Sequence, residues 1–248
     1  MNNTQRFDGK GIIYAKARPG YSAKLFEYLE DTLHISRGCS FADIGSGTGI
    51  FSESLLKRGY RVYAVEPNTD MRKQAEEMLK DEPNFISVNG TACSTTLPVQ
   101  SVDYITAAQA FHWFDPFTFK KECRRILKPN GRVIIVYNTR DESAECNKAL
   151  ADLHRKYCPE FQGFSKGMNE EKCRAFFDNK CDMFRTDNSK VYDRQGYINR
   201  ALSSSYSLCE KDEGYEKYIE EMNKLFDTFA VDGKITVPMF TVGYMGTV

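Results

Sequence analysis

A short apolar segment that runs into a glycine loop restricts the fold of this chain more than any other feature. The segment Phe41–Ile44 contains Asp43 and leads into Gly45–Gly49, where every second residue is glycine. A helical pattern starts at Ile50, and a second apolar run ends at Glu66. Glycines let a ligand approach the backbone, and the new helix offers unpaired N–H groups. An acid ending the next strand can bind both hydroxyls of a ribose. The pattern therefore predicts a β–α–β unit that binds a nucleoside.

The spacing of the glycines distinguishes two kinds of nucleoside site. The dinucleotide fingerprint G-x-G-x-x-G would place its third glycine at residue 50, which is Ile50. The glycines here alternate, and Asp43 precedes the first by two residues. This arrangement resembles the first motif of class I S-adenosylmethionine-dependent methyltransferases. The resemblance implies that Asp43 contacts the cofactor's ammonium group, directly or through water, and that Glu66 binds its ribose.

Further segments narrow this resemblance and extend it over essentially the whole chain. Asn89-Gly90-Thr91-Ala92 stands where such proteins contact adenine. Gln109-Ala110-Phe111-His112-Trp113-Phe114 is similar to a segment of the methyltransferase type 11 subgroup that includes trans-aconitate methyltransferases. The early Tyr14-x-x-x-Arg18-Pro19-x-Tyr21 and the tail 233–244 are similar to that subgroup too.

The resemblance implies a set of contacts to S-adenosyl-L-methionine, whose product is S-adenosyl-L-homocysteine. The residues expected to bind this cofactor are Tyr14, Arg18, Asp43, Gly45, Ser46, Gly47, Thr48, Gly49, Glu66, Pro67, Asn68, Met71, Gly90, Thr91, Ala92, Ala108 and Gln109. One departure concerns adenine: many relatives have an acid in that loop, where this chain has Thr91 and Cys93. His112 follows a central strand and is a candidate base or acceptor-positioning residue, with a structural role as the alternative.

Alternating strand and helix patterns predict the fold. Helix-capping residues Ser22, Asn68 and Asp115 each precede a helical pattern, and Asp115 is followed by proline at the first helical position. Such alternation predicts a doubly wound, Rossmann-like α/β sheet, mostly parallel with about seven strands and the last antiparallel, and with helices on both faces. The predicted strands are Cys39–Ile44, Tyr60–Val65, Phe85–Val88, Val102–Ala108, Arg132–Tyr137, Phe184–Tyr192 and Ile235–Tyr244.

The chain is interpreted as a single domain, 1–248. Residues 1–137 form the cofactor-binding core, 138–231 a helical lid or acceptor-specificity region, and 232–248 a terminal strand. Short helices are expected over 138–183, followed by a helix over Gln195–Leu202 and a longer helix that begins near Tyr215 and stops at Gly233.

Composition argues against several functional classes. Lys plus Arg and Asp plus Glu both number 34, so no basic excess favours nucleic acid or an anionic membrane. No apolar run approaches the ~20 residues of a spanning helix, and the N-terminus does not resemble a secretory signal. The eight cysteines form no C-x-x-C pair, and only three histidines accompany them, so no metal site is expected. We expect a cytoplasmic monomer or homodimer with reduced thiols.

The expected activity is methyl transfer (EC 2.1.1.-) by in-line displacement to a small-molecule acceptor, with carboxylic acids and other metabolites as candidates. A carboxylate or thiolate acceptor would need no base, whereas a hydroxyl or amine would need a proton acceptor such as His112. Two alternatives stay open from the sequence. One is a non-catalytic protein that binds the cofactor or its product, and the other is an NAD-dependent oxidoreductase.

Overall fold

The structure, a computed structural model, describes residues 20–164, 168–204 and 206–248. Its strands are β1 (Ser40–Ile44), β2 (Arg61–Val65), β3 (Phe85–Val88), β4 (Val102–Ala108), β5 (Leu127–Arg140), β6 (Asp182–Asp187), β7 (Lys190–Tyr192), β8 (Ile235–Val237) and β9 (Met239–Gly246). Seven of them form one sheet in the order β3-β2-β1-β4-β5-β9-β6. Strands β1 to β5 are parallel, and β9 runs antiparallel to both β5 and β6. The predicted Rossmann-like sheet with an antiparallel last strand is confirmed.

The helices lie where the sequence supplies start signals. They are α1 (Ala23–Leu33), α2 (Ile50–Leu56), α3 (Thr69–Met78), α4 (Pro116–Ile126), α5 (Glu145–Tyr157), α6 (Glu170–Phe176), α7 (Arg194–Leu202) and α8 (Tyr215–Phe229). The Asn68 side chain accepts the backbone N–H groups of Asp70 and Met71, at 3.0 and 2.9 Å. Asp115 accepts the N–H of Thr118 at 2.8 Å. Ser22 precedes α1 but forms no side-chain cap hydrogen bond.

Both faces of the main sheet are covered by apolar side chains. Along β5, Val133, Ile135 and Tyr137 pack into a cluster with α4 and α6, whereas Ile134 and Val136 pack into a cluster with α1 and α2. A strand covered on both sides has no polar face, which explains why this segment reads as an almost continuous apolar run.

A third apolar cluster joins α5, α7, α8 and the small antiparallel sheet of β7 and β8, a unit that we call the cap. The region 138–231 is thus divided in the structure. Helix α6 and strand β6 pack with the main sheet, while β8, which lies beyond residue 231, belongs to the cap. In the described ranges, no helix has both the length and the apolar character required to cross a membrane.

Two predicted strands are each divided. The segment Phe184–Tyr192 breaks at Asn188 and Ser189, so that β6 joins the main sheet and β7 the cap. The segment Ile235–Tyr244 breaks at Pro238, which has no N–H for a strand ladder. Helix α8 also ends at Phe229, four residues before the predicted stop at Gly233.

Candidate functional site

A cavity of about 330 Å³ opens at the carboxyl ends of the parallel strands, a volume within the ~300–1,000 Å³ of small-molecule sites. It lies where the strand order reverses between β1 and β4, the place at which open α/β sheets bind ligands. Most of the residues predicted from the sequence line it together. These are Asp43, Gly45, Ser46, Gly47, Thr48, Glu66, Pro67, Asn68, Met71, Thr91, Ala92, Ala108 and Gln109.

The glycine loop is folded onto the end of β2, and its glycines at 45 and 47 have different roles in the cavity wall. The N–H groups of Gly45 and Ser46 donate to the carbonyl of Val65, at 2.8 and 3.2 Å. A Cβ on Gly47 (φ +58°) would meet only the Met71 sulfur, at 3.8 Å. A Cβ on Gly45 would instead lie 2.8 Å from the Cβ of Ala110. Gly47 therefore leaves space for a ligand, whereas Gly45 allows the loop after β4 to pack closely.

Two predicted glycines lie beside the cavity and do not line it. A Cβ on Gly49 would come within 2.9 Å of the Leu79 side chain at the end of α3, and one on Gly90 within 2.7 Å of the Thr95 carbonyl oxygen. Glycine is required at both positions because neighbouring residues pack closely against the backbone behind the cavity wall.

Glu66 links the glycine loop to the start of α3 and keeps acceptor capacity. Its Oε2 accepts the N–H of Gly47 at 2.9 Å, and its Oε1 accepts the N–H of Asn68 at 2.8 Å. Burial raises the pKa of this carboxyl, while the two N–H groups and the Arg72 charge oppose the rise. Each oxygen has a second lone pair. The carboxylate can therefore accept two further hydroxyl groups, as a ribose would require.

Asp43 is fully buried at the end of β1 and connects three elements. Its Oδ2 accepts the Ser52 hydroxyl of α2 at 2.7 Å, and its Oδ1 accepts the Thr106 hydroxyl of β4 at 2.8 Å. Burial raises the pKa of Asp43 to about 6, the two hydroxyls lower it, and the nearby Glu66 charge adds to the rise. Asp43 thus holds the base of the cavity together, and its contact with an ammonium group stays a prediction.

The backbone turns sharply where β4 ends. Gln109 has a left-handed φ of +55°, uncommon for a residue with a side chain. Its backbone N–H donates to the carbonyl oxygen of Val136 at 2.8 Å, and its side-chain Nε2 donates to the carbonyl oxygen of Asn138 at 2.9 Å. Both bonds tie this turn to β5. Backbone conformations of this kind persist where surrounding contacts fix them, and they cluster at ligand sites.

His112 lies next to the cavity but is not among the residues that line it. Its ring packs against Trp113 and Tyr137, with centroids 4.6 and 6.0 Å apart, and its Nδ1 atom is buried. Trp113 and Phe114, from the same segment, do line the cavity. Tyr14 and Arg18 lie outside the described residues, and the described ranges contain no group of three side chains able to hold a metal ion.

Sequence reasoning missed part of the wall. The additional lining residues are Tyr21, Ile50, Phe51, Cys93, Ala110, Asp115, Thr118, Asn138 and Arg200. Of these, Arg200 of α7 lies farthest along the chain from the glycine loop. Its position in the helix is the one sequence feature that could have indicated a place in the wall. Arg200 lies on the same buried face of α7 as Tyr197 and Ala201. A solvated arginine would be expected on the opposite, polar face.

Comparison with known proteins connects this cavity to a family. The methyltransferase domain family matches residues 42–135, from β1 into β5. An uncharacterized methyltransferase of Mycobacterium tuberculosis is 36% identical over 140 residues, 56% of this chain and 55% of the relative. The alignment with that relative therefore spans little more than half of its length. An uncharacterized methyltransferase of Schizosaccharomyces pombe is 30% identical over 230 residues, 90% of this chain and 78% of the relative.

Solved structures share the fold. A protein of Anaeromyxobacter dehalogenans, assigned as a type II methyltransferase, superposes with a TM-score of 0.68 and 22% identity, covering 93% of this chain and 97% of that one. A SAM-dependent methyltransferase of Aquifex aeolicus gives a TM-score of 0.54 and 16% identity, covering 95% and 97%. With the glycine loop and Glu66 at the switch point of such a sheet, this chain belongs to the class I S-adenosylmethionine-dependent methyltransferase family.

Proposed function

We propose that this protein transfers a methyl group from S-adenosylmethionine to a small organic acceptor, with a carboxylic acid as the favoured class. The observation that carries the proposal is the arrangement of Glu66 against Gly47 in the cavity wall. A carboxylate with two remaining lone pairs stands next to a loop that has open space in front of it. This pair fits a ribose beside a narrow polar chain, and the loop has Ile50 where the dinucleotide fingerprint places its third glycine.

The other lining residues fit the remaining parts of such a cofactor. Thr91 and Ala92 border the expected adenine region, where the Thr91 hydroxyl is an acceptor for an amino group. Asp43 and Glu66 give this end of the cavity a negative character that suits a cationic ligand. When bound, the cofactor supplies a methyl group on a sulfonium, whose carbon–sulfur bond breaks as the acceptor's lone pair attacks and whose electron pair stays on sulfur.

The protein's own contribution is alignment and exclusion of water. Tyr21 and Phe51 meet edge to face, 4.8 Å between ring centroids, and with Trp113 and Phe114 they form an apolar wall. The cap closes the wall with Arg200, so the space suits a small molecule better than an extended polymer. A carboxylate acceptor needs no base, which agrees with the place of His112 behind the wall.

Calorimetry with S-adenosylhomocysteine tests the cofactor assignment. We expect one site per chain, and we expect Glu66→Ala to weaken binding by about 1–3 kcal/mol because charge-assisted hydrogen bonds are lost. Glu77→Ala, at an exposed acid on α3 paired with Lys80, is the matched control and should bind as the wild type does.

The outcomes separate the three candidate functions. A flat titration with S-adenosylhomocysteine, together with binding of NAD, would replace the proposal by an oxidoreductase. Binding without methyl transfer from labelled S-adenosylmethionine to any component of a metabolite extract would favour a non-catalytic binding protein.

A further inference from the structure

We propose that Arg200 of the cap binds the anionic group of the methyl acceptor, so that the acceptor is a small organic acid. The proposal rests on the proposed function, since it divides the same cavity into a cofactor end and an acceptor end. It assigns the acceptor end to a residue that lies 134 positions after Glu66 in the chain.

Arg200 is built into the wall of the cavity. It lies in the last turns of α7, lines the cavity, and is only 9% exposed. One of its guanidinium nitrogens is 3.4 Å from the Ser203 hydroxyl, near the limit of a hydrogen bond. A guanidinium carries five N–H donors in a planar fork that matches a carboxylate with two parallel bonds. Such a group in a cavity wall is suited to orient an acid and not only to attract it.

A second buried arginine, which does not line the cavity, acts with Arg200 on the same histidine of the cap. Arg140 ends β5, two residues after the cavity-lining Asn138, and is 7% exposed. Its Nη1 donates to the side-chain oxygen of Asn147 at 2.8 Å, and its guanidinium lies 4.8 Å from the centre of the Phe164 ring. Both contacts are with neutral groups, and neither removes its charge. Arg140 is absent from the ion pairs formed among the described residues.

A histidine that feels the charge of both arginines is held neutral. His154 is buried in the cap, and the Tyr218 hydroxyl lies 3.0 Å from its Nδ1. Burial, with the charges of Arg140 and Arg200 added, lowers the pKa of His154 to about 3. The ring therefore contributes no charge at neutral pH. The two arginines set the potential here, and that potential does not change between pH 5 and 8 through His154.

A buried tyrosine hydroxyl lies in the same apolar cluster of the cap. Tyr197 lies one turn before Arg200 on the same face of α7 and is 1% exposed. Its hydroxyl has no hydrogen-bond partner among the described residues. Burial raises the pKa of the Tyr197 hydroxyl, and the positive charge of Arg140 opposes that rise. The hydroxyl is therefore close enough to Arg140 to interact with its charge. A buried donor without a partner is costly. Within this cluster Arg200 lines the cavity and Tyr197 does not, so we assign the acid to Arg200 and regard the Tyr197 hydroxyl as a neighbouring polar group.

Charge is also separated along the cavity. Asp43 lies near the end of β1 and Glu66 directly after β2, whereas Arg200 enters from the cap. A cationic cofactor at the acidic end and an anionic acceptor at the basic end would each be attracted to the correct place. The apolar wall of Phe51, Trp113 and Phe114 would then face the carbon skeleton of the acid.

The test titrates small acids and their amides into protein saturated with S-adenosylhomocysteine. The probes are glutarate, tricarballylate and phenylacetate, each with its neutral amide, up to about 10 mM. The variants are Arg200→Gln, Arg200→Lys and Arg194→Gln. The last removes the same charge from an exposed position of α7, where Arg194 pairs with Asp227, and is the matched control.

We expect at least one acid to bind wild-type protein while its amide does not. Arg200→Gln should weaken that acid by about 10- to 100-fold, because the charged fork is lost, and Arg200→Lys should lie between the two because a lysine keeps the charge without the fork. Arg194→Gln should match the wild type. The affinity for S-adenosylhomocysteine should be unchanged in all three variants.

Other outcomes overturn the proposal. Equal binding of acids and amides, no binding of any acid, or an acid affinity unaffected by Arg200→Gln would each exclude an anion site at Arg200. Loss of S-adenosylhomocysteine binding in Arg200→Gln would assign the arginine to the cofactor's own carboxylate. If Arg200→Gln does not fold, the acid and amide comparison in wild-type protein decides alone. A flat S-adenosylhomocysteine titration of wild-type protein would instead remove the proposed function, and this site with it.

Discussion

The two ends of the cavity are built in different ways. At the cofactor end, Asp43, the glycine loop and Glu66 lie within 24 consecutive residues, and hydrogen bonds between neighbouring strands and loops fix them. At the cap end, Arg200 arrives through the packing of α7 on α5 and α8, in an apolar cluster separate from those of the main sheet. On our proposal, cofactor binding would therefore be a local property of the β–α–β unit, while acceptor recognition would depend on tertiary structure. The same cofactor end could serve different acceptors if the cap changed.

The largest expected effect comes from removing a buried aromatic ring from the cap. This substitution tests whether the cap and the cofactor end of the cavity are energetically independent. Phe226 of α8 is 1% exposed in the cap cluster. Phe226→Ala should lower the free energy of unfolding by about 3–5 kcal/mol, because it removes buried area and leaves a cavity. The affinity of the folded protein for S-adenosylhomocysteine should change less than twofold. Urea unfolding and calorimetry measure the two quantities. Val231→Ala, at an exposed position, is the control for the first. A large loss of cofactor affinity would show that the two ends are not separable.

The buried acid of the cofactor end should reveal itself through pH. Because the folded pKa of Asp43 is raised to about 6 from an ordinary 3.8, the folded state binds its proton more tightly than the unfolded chain does. Its contribution to stability is present below pH 3.8 and is lost as the pH rises through 6. Asp43→Asn has no such loss, so its stability relative to wild type should rise by roughly 2–3 kcal/mol between pH 4 and 7.

Chemical unfolding at several pH values measures this difference. Asp81→Asn, the replacement of an exposed acid, is the matched control. A difference between Asp43→Asn and wild type that is independent of pH would mean that Asp43 ionises in the folded protein as freely as in the unfolded chain. The carboxylate would then be more hydrated than its burial indicates.

The same contrast between local and tertiary signals explains what the sequence could predict. The caps at Asn68 and Asp115, the glycine loop and the end of β2 each depend on residues that are close together in the chain, and all were predicted. The strand breaks have local signals too: a polar turn at Asn188 and the missing backbone N–H of Pro238. The prediction treated each segment as one strand because apolar residues continue on both sides of the break.

Arg200 could not be assigned to the site in this way. Its place on the Tyr197 face of α7 indicates burial but not which surface that face packs against, and only the packing of α7 brings the guanidinium to the cavity. His112 shows the converse. Its place after a central strand makes it a candidate base, with a structural role as the alternative. The turn Phe111–Trp113 directs neighbouring Trp113 to the wall and packs the histidine ring against Tyr137, and the role as a base stays a prediction.

The glycines of the loop allow a finer comparison within the cofactor end. Gly45, Gly47 and Gly59 all have left-handed φ angles, but nothing lies within 4 Å of a Cβ on Gly59. Gly59→Ala should cost about 1–2 kcal/mol of stability from backbone strain alone, and Gly47→Ala about the same. Gly45→Ala should cost more, since its Cβ would meet Ala110 at 2.8 Å. Thermal unfolding measures the series, and equal losses at Gly45 and Gly59 would contradict the close packing.

The smallest effect is kinetic and needs no substitution. Cys93 and Cys209 are both exposed, but only Cys93 lines the cavity, in the loop assigned to adenine. Its sulfur is 3.3 Å from the Thr91 hydroxyl. Because thiolates react with alkylating agents in proportion to their access, a ligand at Thr91 should cover Cys93 and leave Cys209 unaffected. We expect saturating S-adenosylhomocysteine to slow iodoacetamide labelling of Cys93 severalfold, measured by peptide mass spectrometry. Cys209 in the same sample is the control. Equal rates at Cys93 with and without the ligand, while calorimetry shows binding, would move adenine away from Thr91 and leave Glu66 as the anchor of the cofactor end.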